Sequence, residues 1–82
     1  MPRITEIFAF IAEDAGPDDE GIAAFRHGQL WMPMVAADIA RVESLRKMAE
    51  GISQARGMTI KLVRFTAREE LEMIRPAGTR PG

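Results

Sequence analysis

The chain has 82 residues, of which 46% are hydrophobic and 28% charged, a balance that excludes a disordered chain and leaves room for one small domain. It has no cysteine and one histidine, which excludes disulfides, thiolate metal sites and histidine-rich zinc sites. The formal net charge of −1 argues against a typical nucleic-acid-binding domain. Because a domain this small buries little apolar surface, we expect it to be stabilised by self-association.

The first element is an apolar strand over residues 4–12. Its side chains alternate between two faces, and both faces are hydrophobic apart from Glu6. A strand with two apolar faces belongs near the centre of a sheet. The apolar run is too short to cross a bilayer and has no small-residue cleavage site after it, so we expect a cytoplasmic protein without a membrane partner.

An acidic loop follows this strand. Five carboxylates fall close together in it: Glu13, Asp14, Asp18, Asp19 and Glu20. Hard cations prefer such oxygen ligands, but a calcium-binding loop needs acids at alternate positions, a central glycine and a terminal glutamate, and this loop has a different spacing. We therefore expect a solvated loop and no cofactor, with a weak Mg²⁺ or Ca²⁺ site as the alternative.

Two further strands form a predicted hairpin. Residues 22–26 make the second strand, "RHGQ" makes the turn, and residues 29–35 ("QLWMPMV") make the third strand. Pro33 indicates a sheet edge because it cannot donate a ladder hydrogen bond, yet both faces of the strand are apolar. The pattern predicts a self-association interface that consists of Leu30, Trp31, Met32, Pro33 and Met34. The alternative is that this patch completes the core of one chain.

A long helix and a fourth strand come next. Asp38 suits an N-cap and Gly57 suits a C-terminal cap. Apolar residues between them recur at steps of three and four, which predicts an amphipathic helix of about 18 residues. These residues are Ile39, Val42, Leu45, Met48, Ala49 and Ile52. The fourth strand is predicted over residues 58–65.

The last predicted element is a short helix. Residues 66–69 ("TARE") match a capping box, the helix would end near Ile74, and Pro76 would stop it. The chain then divides into a single domain over residues 1–75 and a flexible tail over residues 76–82.

The elements together predict an α+β fold in the order β-β-β-α-β-α. We expect a four-stranded mixed sheet with strand order 3-2-1-4, in which the fourth strand is parallel to the first. The long helix would cover one face, and the short C-terminal helix would cover only part of the other. This element order resembles that of the small HicB-type antitoxins, which are similar to a reduced ribonuclease-H-like fold. The resemblance is one of layout and carries over no residue.

Charge is divided unevenly along the chain. Residues 1–40 carry two basic and seven acidic side chains, a charge of −5, and residues 41–82 carry nine basic and five acidic ones, a charge of +4. The two halves compensate each other if they pack in one domain. The alternative is an anionic partner of the basic half, for which Lys61, Arg64 and Arg68 form the candidate surface.

The sequence contains no pattern typical of catalysis. His27 lies in a predicted turn without a nucleophile motif beside it, and the first strand lacks the acids of a ribonuclease-H-like metal site. We therefore expect a small non-enzymatic protein-interaction or regulatory module, of bacterial type, that acts as a homodimer or larger homo-oligomer. The alternatives are a nucleic-acid-binding antitoxin-like regulator, and a weak metal-binding protein or small enzyme.

Overall fold

Six strands and one helix occupy the part of the chain that the computed structural model describes, residues 3–78. In chain order they are β1 (Ile7–Glu13), β2 (Glu20–Ile22), β3 (Ala24–His27), β4 (Leu30–Pro33), β5 (Val35–Ala36), α1 (Ile39–Arg56) and β6 (Thr59–Phe65). The predicted α+β class is confirmed, with a multi-stranded antiparallel sheet and one long helix. Within residues 3–78, no helix has the length and hydropathy that a membrane crossing requires.

β1 is the central strand of the main sheet. β6 pairs with it along its whole length, from Ile7 opposite Phe65 to Glu13 opposite Thr59. Two short strands share the other edge of β1, with β2 opposite residues 11–13 and β5 opposite residues 8–9. The position predicted for the first strand is confirmed, since residues 8–12 are all buried.

A hairpin made of β3 and β4 leaves the sheet between β2 and β5. At its base, the Phe10 amide donates to the Met34 carbonyl at 3.0 Å, and the Ala23 amide donates to the Phe10 carbonyl at 2.8 Å. The Met34 amide donates in turn to the Ala23 carbonyl at 2.8 Å. These three bonds hold both ends of the hairpin on the middle of β1, so the hairpin is a side branch of one edge of the sheet.

The predicted strand order 3-2-1-4 and the parallel fourth strand are not found. Every strand pairing within residues 3–78 is antiparallel, including that of β6 with β1. The hairpin is the reason. Because β3 and β4 branch off together, the chain re-enters the sheet at β5 in the same direction as in β2. α1 therefore connects β5 and β6, which are parallel to each other and lie on opposite sides of β1.

The helix begins and ends where its caps predict. Asp38 Oδ1 accepts a hydrogen bond from the Arg41 amide at 2.9 Å, which is the N-cap interaction. Gly57 takes the left-handed conformation at the other end, with φ 63°. The helix packs on one face of the sheet. The buried residues of this core are Phe8, Phe10, Ala12, Ala23, Met34, Ala36, Val42, Leu45 and Ala49.

The prediction of a short C-terminal helix after β6 is wrong, because residues 66–78 contain neither helix nor strand. A two-turn helix here would place only Leu71 and Ile74 on one side, and isolated helices of this length are unstable in water without a packed face. In the described chain these two side chains are 84% and 86% exposed, so they have no such packing. Residues 79–82 of the predicted tail lie outside the described residues.

Candidate interaction surface

The β3–β4 hairpin presents apolar side chains to solvent. Its strands pair around a tight turn, in which Gly28 takes a φ of 66° that favours glycine. Four of the five predicted interface residues lie on this hairpin and are exposed: Leu30 (66%), Trp31 (58%), Met32 (41%) and Pro33. No other part of the described chain buries these four side chains, so they are available to a partner.

Contacts on both sides of the hairpin keep it in a defined shape. Phe25, which lies opposite Met32 in the register, packs against the core. Arg26 lies over the Trp31 ring, with its guanidinium carbon 6.0 Å from the ring centroid. The Arg26 Nε also donates to the Gly28 carbonyl at 3.2 Å. The exposed indole is therefore held in place before any partner binds.

Met34, the fifth predicted interface residue, lies elsewhere. It sits between β4 and β5, and its side chain is completely buried. The alternation expected along the third strand ends at this point, because the chain bends at the base of the hairpin and Met34 turns into the core. Met34 is a packing residue of the single chain and does not belong to the exposed surface.

A second apolar surface lies on the side of the sheet away from α1. Residues opposite one another in antiparallel strands share a face, so the register groups Ile7 with Phe65 and Ile11 with Ile22. We call this surface the open face, and it consists of Ile7, Ala9, Ile11, Ile22, Val35, Val63 and Phe65. Ala9 and Ile11 in the middle of the open face are buried, whereas Ile7, Ile22 and Phe65 around them are about half exposed. A depression of about 300 Å³ lies in it.

An ion-pair cluster closes one end of the open face. Lys61 lies opposite Ile11, and its Nζ is 3.1 Å from a Glu13 oxygen and also contacts Glu20. The hydrogen bonds that the ammonium donates to Glu20 and, less strongly, to Glu13 raise the pKa of Lys61 above its ordinary value. The cluster ties the two ends of the acidic loop to β6.

The acidic loop is otherwise organised as a turn. The Asp14 amide donates to the Asp19 carbonyl at 3.0 Å, and the Ala15 amide donates to Asp19 Oδ2 at 3.2 Å. Asp19 therefore supports the loop backbone, and Glu13 and Glu20 contact Lys61. In the range 3–78, no three acidic or histidine side chains are grouped as a metal ion would require.

The structure does not bring the three predicted basic residues together. Lys61 and Arg64 point to opposite faces of β6, because they lie opposite Ile11 and Phe8 on β1. Arg68 lies beyond the strand, where its Nη2 is 2.8 Å from Glu70 Oε1 and its Nη1 donates to the Ile4 carbonyl at 3.5 Å. Two of the three cations are thus already paired with carboxylates.

Sequence reasoning missed a third apolar surface, the C-terminal arm, which we define as residues 66–78. Leu71, Met73 and Ile74 are 84%, 70% and 86% exposed on it. The arm begins beside a groove of about 460 Å³ at the end of the sheet, which Ile7 and Phe65 help to line. The available signal was the spacing of Leu71 and Met73, since two residues apart is the period of an extended chain.

No protein-family model, curated protein or solved structure matches the chain. No comparison supports the likeness to the HicB-type antitoxins, and the element order behind it is not reproduced within residues 3–78, where β6 is antiparallel to β1 and no helix follows it. The function has to be argued from the exposed surfaces themselves.

Proposed function

We propose that this chain is a small non-enzymatic interaction module of the cytoplasm that acts as a homo-oligomer, most simply a homodimer. The exposed apolar surface of the β3–β4 hairpin is the observation that carries the proposal. Leu30, Trp31 and Met32 remain in water although the hairpin itself is anchored to the core through Phe25. A cluster of exposed apolar residues on an element that is anchored to the core is typical of an association surface.

The composition of the hairpin surface fits association better than catalysis. Tryptophan and arginine are the residues most enriched where interfaces hold most of their binding energy, and Trp31 and Arg26 are in contact here. Met32 adapts to irregular partner surfaces because its side chain is flexible. Pro33 removes one backbone donor at the end of the hairpin and so opposes unlimited strand addition.

The test is the solution mass by light scattering, at low and at high salt. We expect a dimer that persists at high salt, because apolar burial is not screened by ions. The double variant Trp31→Ala/Met32→Glu should raise the dimer dissociation constant at least about thirtyfold, the loss expected for a central interface residue. A variant with an unchanged mass at all concentrations would refute the hairpin surface.

The chain offers a matched control for this variant. Ile39 on α1 is as exposed as Trp31, at 58%, and Met48 is 39% exposed, close to the 41% of Met32. Ile39→Ala/Met48→Glu therefore makes a similar change in exposed apolar surface away from the hairpin. We expect it to leave the mass unchanged.

A second candidate function is that of a nucleic-acid-binding, antitoxin-like regulator. The contact of Arg26 with the exposed Trp31 ring supports it, since an aromatic ring beside a cation can stack on a base. Binding to single-stranded RNA or DNA would then fall steeply with salt and be lost in Trp31→Ala. The separation of Lys61, Arg64 and Arg68 favours the interaction module over this candidate.

A further inference from the structure

The C-terminal arm and the open face are two apolar surfaces of one chain that do not cover each other. Leu71, Met73 and Ile74 are at least 70% exposed, and Ile22 and Phe65 of the open face are more than half exposed. The described residues extend over 53 Å, and their radius of gyration is 16.3 Å. A compact chain of this length would have a radius of about 12 Å. The arm therefore does not fold back on its own sheet.

The sequence of the arm explains why it does not fold back. Phe65 is the last residue of β6 and lies on the open face, so the arm would need a tight reversal directly after it to reach its own sheet. Glycine and proline favour such reversals, and the segment from Thr66 to Arg75 contains neither residue. A second chain presents the same open face without requiring this turn.

The exposed apolar area decides whether these surfaces suffice for an interface. At about 190 Å² for a whole residue of this size, the exposed fractions of Ile7, Ile22, Val35 and Phe65 amount to roughly 350 Å². The same estimate for Leu71 and Met73, the two arm residues on one side of an extended chain, gives roughly 300 Å². Together they reach about 650 Å² per chain, so two exchanged arms would bury roughly 1,300 Å² in total, within the range of specific interfaces, whereas neither surface alone reaches that range.

We infer that the C-terminal arm of a second copy lies across the open face, and that the two chains exchange their arms. This inference rests on the proposed self-association and adds a contact to that of the hairpin. Leu71 and Met73 point to one side of an extended arm and meet the sheet, while Glu70 and Glu72 point to solvent. Nine extended residues reach about 30 Å, enough to cross strands that lie about 4.8 Å apart.

Disulfide trapping tests this exchange, and the chain suits it because it contains no cysteine. The full-length single variants Ile22→Cys and Met73→Cys are mixed and oxidised. Because each chain has a mass of 9.1 kDa, arm exchange should give a linked product of about 18 kDa that contains one chain of each kind. Met48→Cys replaces Ile22→Cys in the control, which places the thiol on α1 and should give no such product with Met73→Cys.

Two arm variants measure the contribution of the contact to association. Leu71→Asp/Met73→Asp should raise the dimer dissociation constant at least tenfold, because it places charges against the open face. Glu70→Ala/Glu72→Ala changes the opposite side of the same segment and should leave the constant within about twofold.

The outcomes separate this inference from the proposed function. A dimeric protein without the mixed disulfide would overturn arm exchange and leave self-association standing. An intrachain disulfide in the double variant Ile22→Cys/Met73→Cys at high dilution would show that the arm covers its own sheet, and would also overturn the exchange. A monomeric wild-type protein at all concentrations would overturn both.

Discussion

Single residues at the ends of α1 determine where the helix stops. Gly57 has a φ of 63°, a conformation that costs any residue with a Cβ about 1 kcal/mol or more. Gly51 lies inside the same helix, where glycine is a poor helix former. A Cβ added at either position would meet no atom within 4 Å, so backbone conformation alone distinguishes the two sites.

The two glycines should therefore respond to alanine with opposite signs. Gly57→Ala should lower the free energy of unfolding by about 1 kcal/mol, because alanine is strained in the left-handed region. Gly51→Ala should raise it by about 0.5 to 1 kcal/mol, because alanine restricts the unfolded chain and favours the helix. Urea unfolding of both variants measures the difference. A loss of stability in Gly51→Ala would contradict the absence of neighbours at that position.

Lys61 links stability to pH at the residue scale. The hydrogen bonds to Glu20 and Glu13 raise its pKa in the folded protein. These hydrogen bonds therefore contribute fully to folding stability below the unfolded lysine pKa of about 10.4. Their contribution is lost as the pH rises through the higher pKa of Lys61 in the folded protein.

An NMR titration of the lysine ε-methylene signal should show this raised pKa directly. Lys47→Arg leaves Lys61 as the only lysine, which makes the assignment unambiguous. The further substitutions Glu13→Gln and Glu20→Gln remove both carboxylates and should return the pKa of Lys61 to the ordinary lysine range. If the pKa stays where it was after both substitutions, the ion-pair cluster is not its cause.

At the scale of elements, the hydrophobic core lies between α1 and the main sheet, and the hairpin contributes few residues to it. The helix buries a narrow stripe of Val42, Leu45 and Ala49, and Met48 lies beside this stripe at 39% exposure. The hairpin reaches the same core mainly through Phe25. Folding stability should therefore depend on the helix stripe much more than on the exposed side chains of the hairpin.

Two truncations on the same helix test this division. Leu45→Ala should cost about 3 kcal/mol, because it removes a buried side chain and leaves a cavity. Met48→Ala should cost less than about 1 kcal/mol, since its side chain is partly exposed and its helix propensity is similar. Chemical denaturation of both variants gives the comparison. If both variants lose the same free energy of unfolding, Met48 is buried in solution, as it would be if a partner packed on α1.

At the scale of the whole molecule, stability and assembly should be coupled. Folding of a dimer depends on concentration because association favours the folded chains. We therefore expect the unfolding temperature of the wild-type protein to rise steadily between about 1 μM and about 1 mM chain. Scanning calorimetry of wild type and of Trp31→Ala/Met32→Glu checks this, and the variant should show a weaker dependence. A concentration-independent unfolding temperature in the wild type would argue for a folded monomer.

The sequence by itself determined the features that depend on neighbours along the chain. Asp38 and Gly57 cap α1 through contacts within a few residues, so both ends of the helix could be predicted. The apolar pattern of the first strand likewise predicted its central place, and residues 8–12 are buried between the neighbouring strands. The exposure of Leu30, Trp31 and Met32 also agrees with the surface expected from the pattern of their strand.

Only the tertiary structure decided how the strands connect and what the end of the chain does. The hairpin branches off because Phe10 bonds to both Ala23 and Met34, two residues far from it in sequence, and this reverses the expected direction of β6 and buries Met34. No local pattern encodes such a choice between distant backbone partners. The arm has helix signals, yet it forms no helix because a two-turn helix needs a packed face, and the described chain provides none for it.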